Sequence, residues 1–265
     1  MSSILDNVLS DDQIRRMAPS VFADHASPVC RETYSYLPTY PIIGHLRDRG
    51  MVVTQVREGK KRAASGQLYA MHEVRMRMAD DVYGRQTGEL GGVTPQIVLL
   101  NSHDKSTSAT ALAGLLRSLC HNGMYWADHS FGFKAVHYKM GMEKVLDGIA
   151  AVSDRFGEMI HNVEAWSKIE LTATQKEEFA KRAIEIRGTA LNVDPIELLR
   201  PRRDQDAGSD LWKTYNVVQE NLTHGGAKAQ NAMGKWRSLR PIKALKVDSD
   251  FNRRLWSVAN ELVTA

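Results

Sequence analysis

Asn101-Ser102-His103-Asp104 sets a hydroxyl, an imidazole and a carboxylate in consecutive residues, the side-chain types of a hydrolase. Neighbours in sequence rarely assemble such a relay, because the base has to reach the nucleophile from another part of the fold. The same residues also close a tight turn by bonding side chain to backbone. Lys105, Ser106 and Thr107 then add donors that a phosphate could take. His103 and Asp104 are therefore the catalytic candidates, in a metal-dependent nuclease or another hydrolase, and a plain turn is the competing reading. The nine histidines contain no HxxxH or HxH pair. Asp80, Asp81, Glu89 and Asp104 make no DxD or ExK pattern at strand spacing, so no metal site is read from the chain. GxGxxG, GxSxG and the phosphate loop GxxxxGK followed by Ser or Thr are absent, and no cofactor is expected.

A second pattern carries charge instead of catalysis. Between Asn221 and Val247 the chain reads NLTHGGAKAQNAMGKWRSLRPIKALKV, with six Lys or Arg and no acid, while all 265 residues sum to +4. The remainder is thus net −2, and about one tenth of the length holds the whole positive excess. Lys228, Lys235, Arg237, Arg240, Lys243 and Lys246, spaced among Gly, Ala and Ser, suit a mobile strip that follows a phosphate backbone. Trp236 stands between Lys235 and Arg237 and is the aromatic placed to stack on a base. Trp212 and Trp256 occupy apolar helical positions and read as core. Arg75, Arg77, Arg202 and Arg203 make a second basic line, and Pro201 projects Arg202 and Arg203 together. Each of these has a plainer reading: a solvated loop, a solvated sheet face, or cations meeting a helix C-terminus.

The elements that must position these groups follow from periodicity. Ser10-Asp11-Asp12 caps a helix to Met17, and Tyr40-Pro41 opens one that Gly50 ends. Met51–Val56 and Gln96–Leu100 read as strands, and so does Phe131–Tyr138. Leu68–Met78 alternates, with Arg75 and Arg77 on the polar face of a half-buried strand. Ala109–Cys120 fits helix or strand. From Met142 onward apolar residues recur at helical spacing to Lys168. A capping box at Thr174 and Glu177 opens a helix to Arg187, Asp194-Pro195 opens a brief one, and Asp210–Thr223 is stopped by Gly225-Gly226. A last helix runs from about Asp250 to Val263, capped by Asp248 or Ser249.

The fold class expected is α+β, a mainly antiparallel sheet in the N-terminal half followed by a helical C-terminal half. The divisions are an N-terminal arm at 1–30, a β-rich region at 31–140 and a helical region at 141–265 containing the basic loop 221–247, all in one continuous domain. No apolar run reaches the roughly 18 residues of a membrane span. Acids near the N-terminus argue against a secretory signal. Cys30 and Cys120 have no CxxC spacing, so a reducing cytoplasm is expected.

Several ordered strings resemble a known family. They include Tyr34-Ser35-Tyr36-Leu37-Pro38-Thr39, Ile97 to Asp104, Leu116 to Gly123, Leu199-Arg200-Pro201-Arg202-Arg203, Asp210-Leu211-Trp212, Gln219 to Leu222 with Gly225-Gly226, and Asn252 to Trp256. Together they resemble the plasmid- and prophage-borne domain of unknown function 932, in its short enterobacterial prophage-type members, over about residues 20 to 260. This chain has Lys105 where the family's turn often has Gly. The resemblance implies DNA maintenance, recombination or defence. The expected function is a mobile-element DNA-binding protein, most concretely a single-strand annealing or recombination factor that binds single-stranded DNA as a homo-oligomer. A nuclease and an interaction protein for a host or defence factor are the alternatives.

Overall fold

The computed structural model describes residues 8–61, 64–82, 93–117, 123–125, 132–135, 142–154 and 156–264. The chain divides into two compact units, one of Met1–Gly123 with His129–Phe156 and one of Met124–Asp128 with Gly157–Ala265. The class is α+β, with an antiparallel sheet in the N-terminal half and helices in the C-terminal half.

The first unit is built on strands β1 (Met51–Glu58), β2 (His72–Met78), β3 (Val93–Asn101) and β4 (Ala109–Arg117), each antiparallel to the next, with β6 (Gly132–Ala135) also paired to β4. A short strand β5 (Gly123–Tyr125) precedes β6. The segment that fitted helix or strand is β4. Eight residue pairs with β3, from Val93↔Arg117 to Leu100↔Thr110, satisfy its backbone, and Gly114 disfavours a helix there. One apolar layer collects Val53, Val74, Met76, Ile97, Leu99 and Ala111 from the strands. Helices α1 (Asp11–Met17), α2 (Thr39–Arg47) and α4 (Met142–Ser153) cover it with Ile14, Ile43, Val145 and Ile149. Ser10 caps α1 in a reciprocal capping box with Gln13.

Two sequence boundaries shift. Residues from Leu9 onward are not an arm: the Leu9 N–H donates to Val53 O at 2.8 Å, and Ile14 and Val21 are fully buried. The sheet unit also extends past residue 141 to Phe156, because α4 packs on β4 and β6. Strand β2 departs from its pattern as well. Both of its faces are buried, and Arg75 and Arg77 are 4% and 6% exposed. Glu73, with no exposure, makes this possible. Its carboxylate receives Arg57 at 3.0 and 2.8 Å and Arg75 Nε at 2.7 Å, so the charges are neutralised inside.

The second unit contains α5 (Phe156–Trp166), α6 (Ala173–Arg187), α7 (Pro195–Leu198), α8 (Leu211–Thr223) and α9 (Leu245–Thr264), with a small sheet of β7 (Asn192–Val193), β8 (Lys228–Gln230) and β9 (Trp236–Ser238). Its centre is aromatic. Trp166 stacks on Trp256 with centroids 4.2 Å apart, and Tyr215 and Trp212 pack beside them. Trp212 and Trp256 are core residues, as their helical spacing predicts. The capping box of α6 is Thr172 with Gln175, two residues before the expected one, because Thr172 holds the extended backbone a cap needs. Helix α9 begins at Leu245, five residues early. Leu245 is buried there and Asp248 lies inside the first turn, its carbonyl and carboxylate both bonded by Asn252. Among the described residues no helix is long and apolar enough to cross a membrane.

A buried polar knot ties the first unit. His72 Nδ1 lies 3.0 Å from Ala70 O, an acceptor only, so it carries the ring proton, and Nε2 accepts from Thr39 Oγ1 at 2.8 Å. Asn101 Nδ2 in turn donates to Thr39 Oγ1 at 3.0 Å. Burial, with His103 beside it, pushes the His72 imidazole down to about 3 from its usual 6.5. The unfolded chain therefore binds one more proton between those values. Stability held by His72 is complete above pH ~6.5 and drains away as the pH falls toward ~3. Urea unfolding across this range should show wild type losing stability faster on acidification than His72→Gln. Parallel pH profiles for the two proteins would disprove the assignment.

Candidate nucleic-acid interface

The basic segment is not a mobile loop. Helix α8 ends at Thr223, Gly225 and Gly226 turn the chain at φ +70° and +94°, and β8 and β9 then form a hairpin with Lys228 opposite Ser238 and Gln230 opposite Trp236. The sequence contains the turn that closes it. Asn231 N donates to Lys235 O at 3.0 Å, and its Oδ1 accepts from the N–H groups of Met233 and Lys235, both at 3.0 Å. Gly234 N–H donates to Asn231 O at 2.9 Å, and Gly234 takes the left-handed backbone that this turn requires, φ +72°. β7 pairs with β8 on the other side, leaving β9 as the edge.

The base of the hairpin is locked from several directions. Gly226 N–H donates to Leu239 O, Leu239 N–H to Ala227 O, and Ile242 N–H to Thr223 O, at 2.8 to 2.9 Å. Arg187 of α6 reaches Leu222 O at 3.4 Å and Arg240 O at 3.1 Å. Arg202 donates to Asn221 Oδ1 at 2.8 Å and to Gly225 O at 2.5 Å. Arg203 forks onto Glu220 at 2.5 and 3.0 Å and also meets Asp206 at 2.7 Å. Arg202 and Arg203 therefore do not project together toward a ligand. They hold the end of α8 and the Gly225 turn, because the buried carboxylates of Glu220 and Asp206 require a cation.

The six cations of the strip behave differently. Lys228, Lys235, Arg237, Arg240, Lys243 and Lys246 are all exposed. None forms an ion pair with a carboxylate of the described residues. Strand alternation puts Lys228, Gln230, Trp236 and Ser238 on one face of the hairpin. Ala229, Val193 and Arg237 occupy the other, where Ala229 and Val193 are buried and Arg237, on the edge strand, stays exposed, so the Trp236 face points outward. Trp236 is 65% exposed, and at the tip Met233 is 82% exposed. Met233 and the positioning role of Arg187 had no distinguishing mark in the sequence beyond the Asn231-x-x-Gly234 turn signal, and Gly225 was legible only as a helix stop.

The remaining candidates lie in the first unit and are bonded within it, Arg75, Arg77 and His103 in its interior. Arg77 Nε reaches Thr54 Oγ1 at 3.4 Å, and Arg75 belongs to the Glu73 group. His103 is fully buried, with its ring 5.1 Å from those of Tyr36 and His72. Asp104 turns instead to Lys61 and accepts from Ser106 N–H at 3.0 Å. Burial raises its pKa, but the bonds from Lys61 and Ser106 outweigh that and hold the carboxyl below its usual range. Ser102 Oγ closes onto Thr107 N–H at 2.9 Å, so residues 101–107 are the side-chain-bonded turn read from their types. Lys105 takes φ +60°, a conformation in which glycine is at ease. Among the described residues no group of three His, Cys, Asp or Glu is placed to hold a metal.

Gly225 is where this site is most vulnerable. A Cβ there would stand 2.4 Å from Leu239 O and 2.8 Å from Arg240 C and Pro241 N, all backbone atoms. At Gly226 the nearest atom would be the Arg202 guanidinium nitrogen at 3.8 Å. Gly225→Ala should cost at least ~2 kcal/mol and expose the hairpin to proteolysis, while Gly226→Ala bears only the backbone strain of ~1 kcal/mol. Urea midpoints measure both; equal losses would show that the backbone contact is not the constraint.

Comparison with known proteins places the sequence in a family. The chain is 31% identical over 262 residues to the UPF0380 protein YafZ of Escherichia coli (strain K12), covering 98% of this chain and 93% of that protein. It is 31% identical over 267 residues to the UPF0380 protein YfjQ of the same organism, with the same coverage. No solved structure matches it. The sequence model of the domain of unknown function DUF932 matches residues 27–256, and the chain belongs to that family.

Proposed function

We propose that this protein binds nucleic acid, single-stranded DNA in particular, through the β8–β9 hairpin and its flanks. The observation that carries the reading is the contrast in how cations are used. Arg57, Arg75 and Arg203 pair with internal carboxylates, whereas the six cations around Trp236 have no carboxylate partner among the described residues. A run of exposed cations releases counterions from a phosphate backbone, which supplies affinity independent of sequence. An exposed indole on the same ribbon offers a face on which an unpaired base stacks. Stacking engages the face of a base and leaves its pairing edge open.

That last property supports the wider role we propose, a single-strand annealing or recombination factor of a mobile element. It would act in the cytoplasm, without a cofactor and as a homo-oligomer. Particle images of the protein with single-stranded DNA should then show rings or filaments; a lone monomer on the strand would remove the annealing role while leaving the binding role intact.

For binding itself, replacing Lys235, Arg237 and Arg240 with Ala should flatten the slope of log K against log salt by about 2, at roughly 0.7 per phosphate contact on a single strand. Trp236→Ala should weaken binding about tenfold, and the indole emission of Trp236 should be quenched by oligothymidine. An unchanged salt slope in the triple variant would take the hairpin out of the interface.

A further inference from the structure

Met233 is the most exposed large hydrophobic residue among those described, at 82%, and it stands at the tip of the hairpin. Turn tips favour small polar residues such as Asn, Asp, Ser and Gly, which bond to their own backbone. In this turn that work is done by Asn231 and Gly234. The bonds to Asn231 Oδ1 use the main-chain N–H of Met233 and of Lys235, and the left-handed residue is Gly234. The Met233 side chain therefore contributes nothing to forming the turn, yet the turn holds it out in water. An unbranched thioether on an ordered tip, two residues before Lys235 and three before Trp236, is an apolar point on a cationic ribbon.

We propose that Met233 is a wedge that inserts between bases where a duplex meets a single strand, an inference resting on the nucleic-acid reading of the hairpin. The occupant follows from the chemistry around it. The six cations select a polyanion, and within a nucleic acid the largest apolar surface open to a protruding side chain is the face of a base at the end of a stack. Proteins that bend or open DNA use Met, Leu, Ile or Phe in this way, separating adjacent bases at the cost of their stacking. The base pair at the end of a duplex is the least costly to open, because one of its faces is already free. Trp236 then takes up the base released. It lies three residues from Met233, at most about 10 Å of extended chain, which spans about three stacked nucleotides at 3.4 Å each. Tip and indole can thus serve neighbouring bases of one strand while the cations hold its phosphates.

The test uses the full chain and a short duplex carrying a single-stranded oligothymidine extension, with 2-aminopurine as the last paired base. Unstacking of that base raises its fluorescence. Wild type should produce the rise, Met233→Leu should keep it, and Met233→Ser should reduce it at least about fivefold. Since Met233 is on the surface, both variants should unfold at the wild-type urea concentration. Binding that depends on Lys235, Arg237 and Arg240 but leaves the fluorescence flat with wild type would overturn the wedge and keep the hairpin as a backbone contact. An equal rise with Met233→Ser would overturn it too. If the lysine and arginine replacements leave binding untouched, the reading of the hairpin fails and the wedge with it.

Discussion

The close approach of two backbones at Gly225 is the constraint on which the basic strip depends. The chain leaves α8, runs out along β8, and returns so near to Gly225 that no Cβ fits between the turn and the peptide of Leu239–Arg240. Three main-chain bonds and the guanidinium groups of Arg187 and Arg202 close the same junction. A segment of 27 residues rich in small and charged side chains would otherwise stay disordered, with a large entropy to lose on meeting a ligand. Locked at its base, it is an ordered ribbon. The cations and Trp236 are then presented on a fixed register.

The arginines divide into two populations, and solvation explains the division. A guanidinium out of water needs acceptors, a carboxylate above all, and a carboxylate out of water needs a cation or donors. Glu73 and Glu220 meet this condition with Arg57, Arg75 and Arg203, so those arginines are tied to the fold. The strip has no acid in its own sequence, and it lies on the surface, where water and salt satisfy its charge. Exposed charge of one sign stays available to a polyanion, and the internal pairs do not. The internal pairs and the exposed strip thus draw on the same side-chain chemistry in different surroundings.

The turn at residues 101–107 shows how a polar cluster is bound into the fold by its own side chains. Asn101 and Ser102 spend their side chains on the backbone around them and on Thr39, and His103 is enclosed by aromatic rings and the His72 knot. Lys105 adopts a left-handed backbone, which costs a side-chain-bearing residue roughly 1–2 kcal/mol. Glycine is the residue that bears no such cost. Lys105 is kept there by the bonds that Asp104 makes on either side of it, to Ser106 and to Lys61.

Local signals were legible in the residues themselves. Ser10 as a cap, Asp194-Pro195 at a helix start, the Gly225-Gly226 stop, the helical spacing that buries Trp212 and Trp256, and the excess of cations near Trp236 all depend on a few neighbours in the chain. So did the α+β class, because strand and helix periods occupy separate halves. What the chain alone left undecided depends on partners far away in sequence. β4 is a strand because β3 lies beside it, and α9 starts early because Leu245 finds a buried place. Arg75, Arg77, Arg202 and Arg203 read like the strip cations until the fold supplies Glu73, Glu220, Asp206 and carbonyl acceptors to most of them. Composition determined that a polycationic segment exists and where it lies. Only the tertiary structure decided that it is a hairpin, which face of it meets water, and which of the chain's arginines are left to bind anything else, since burial and pairing are properties of surroundings that no single stretch of sequence contains.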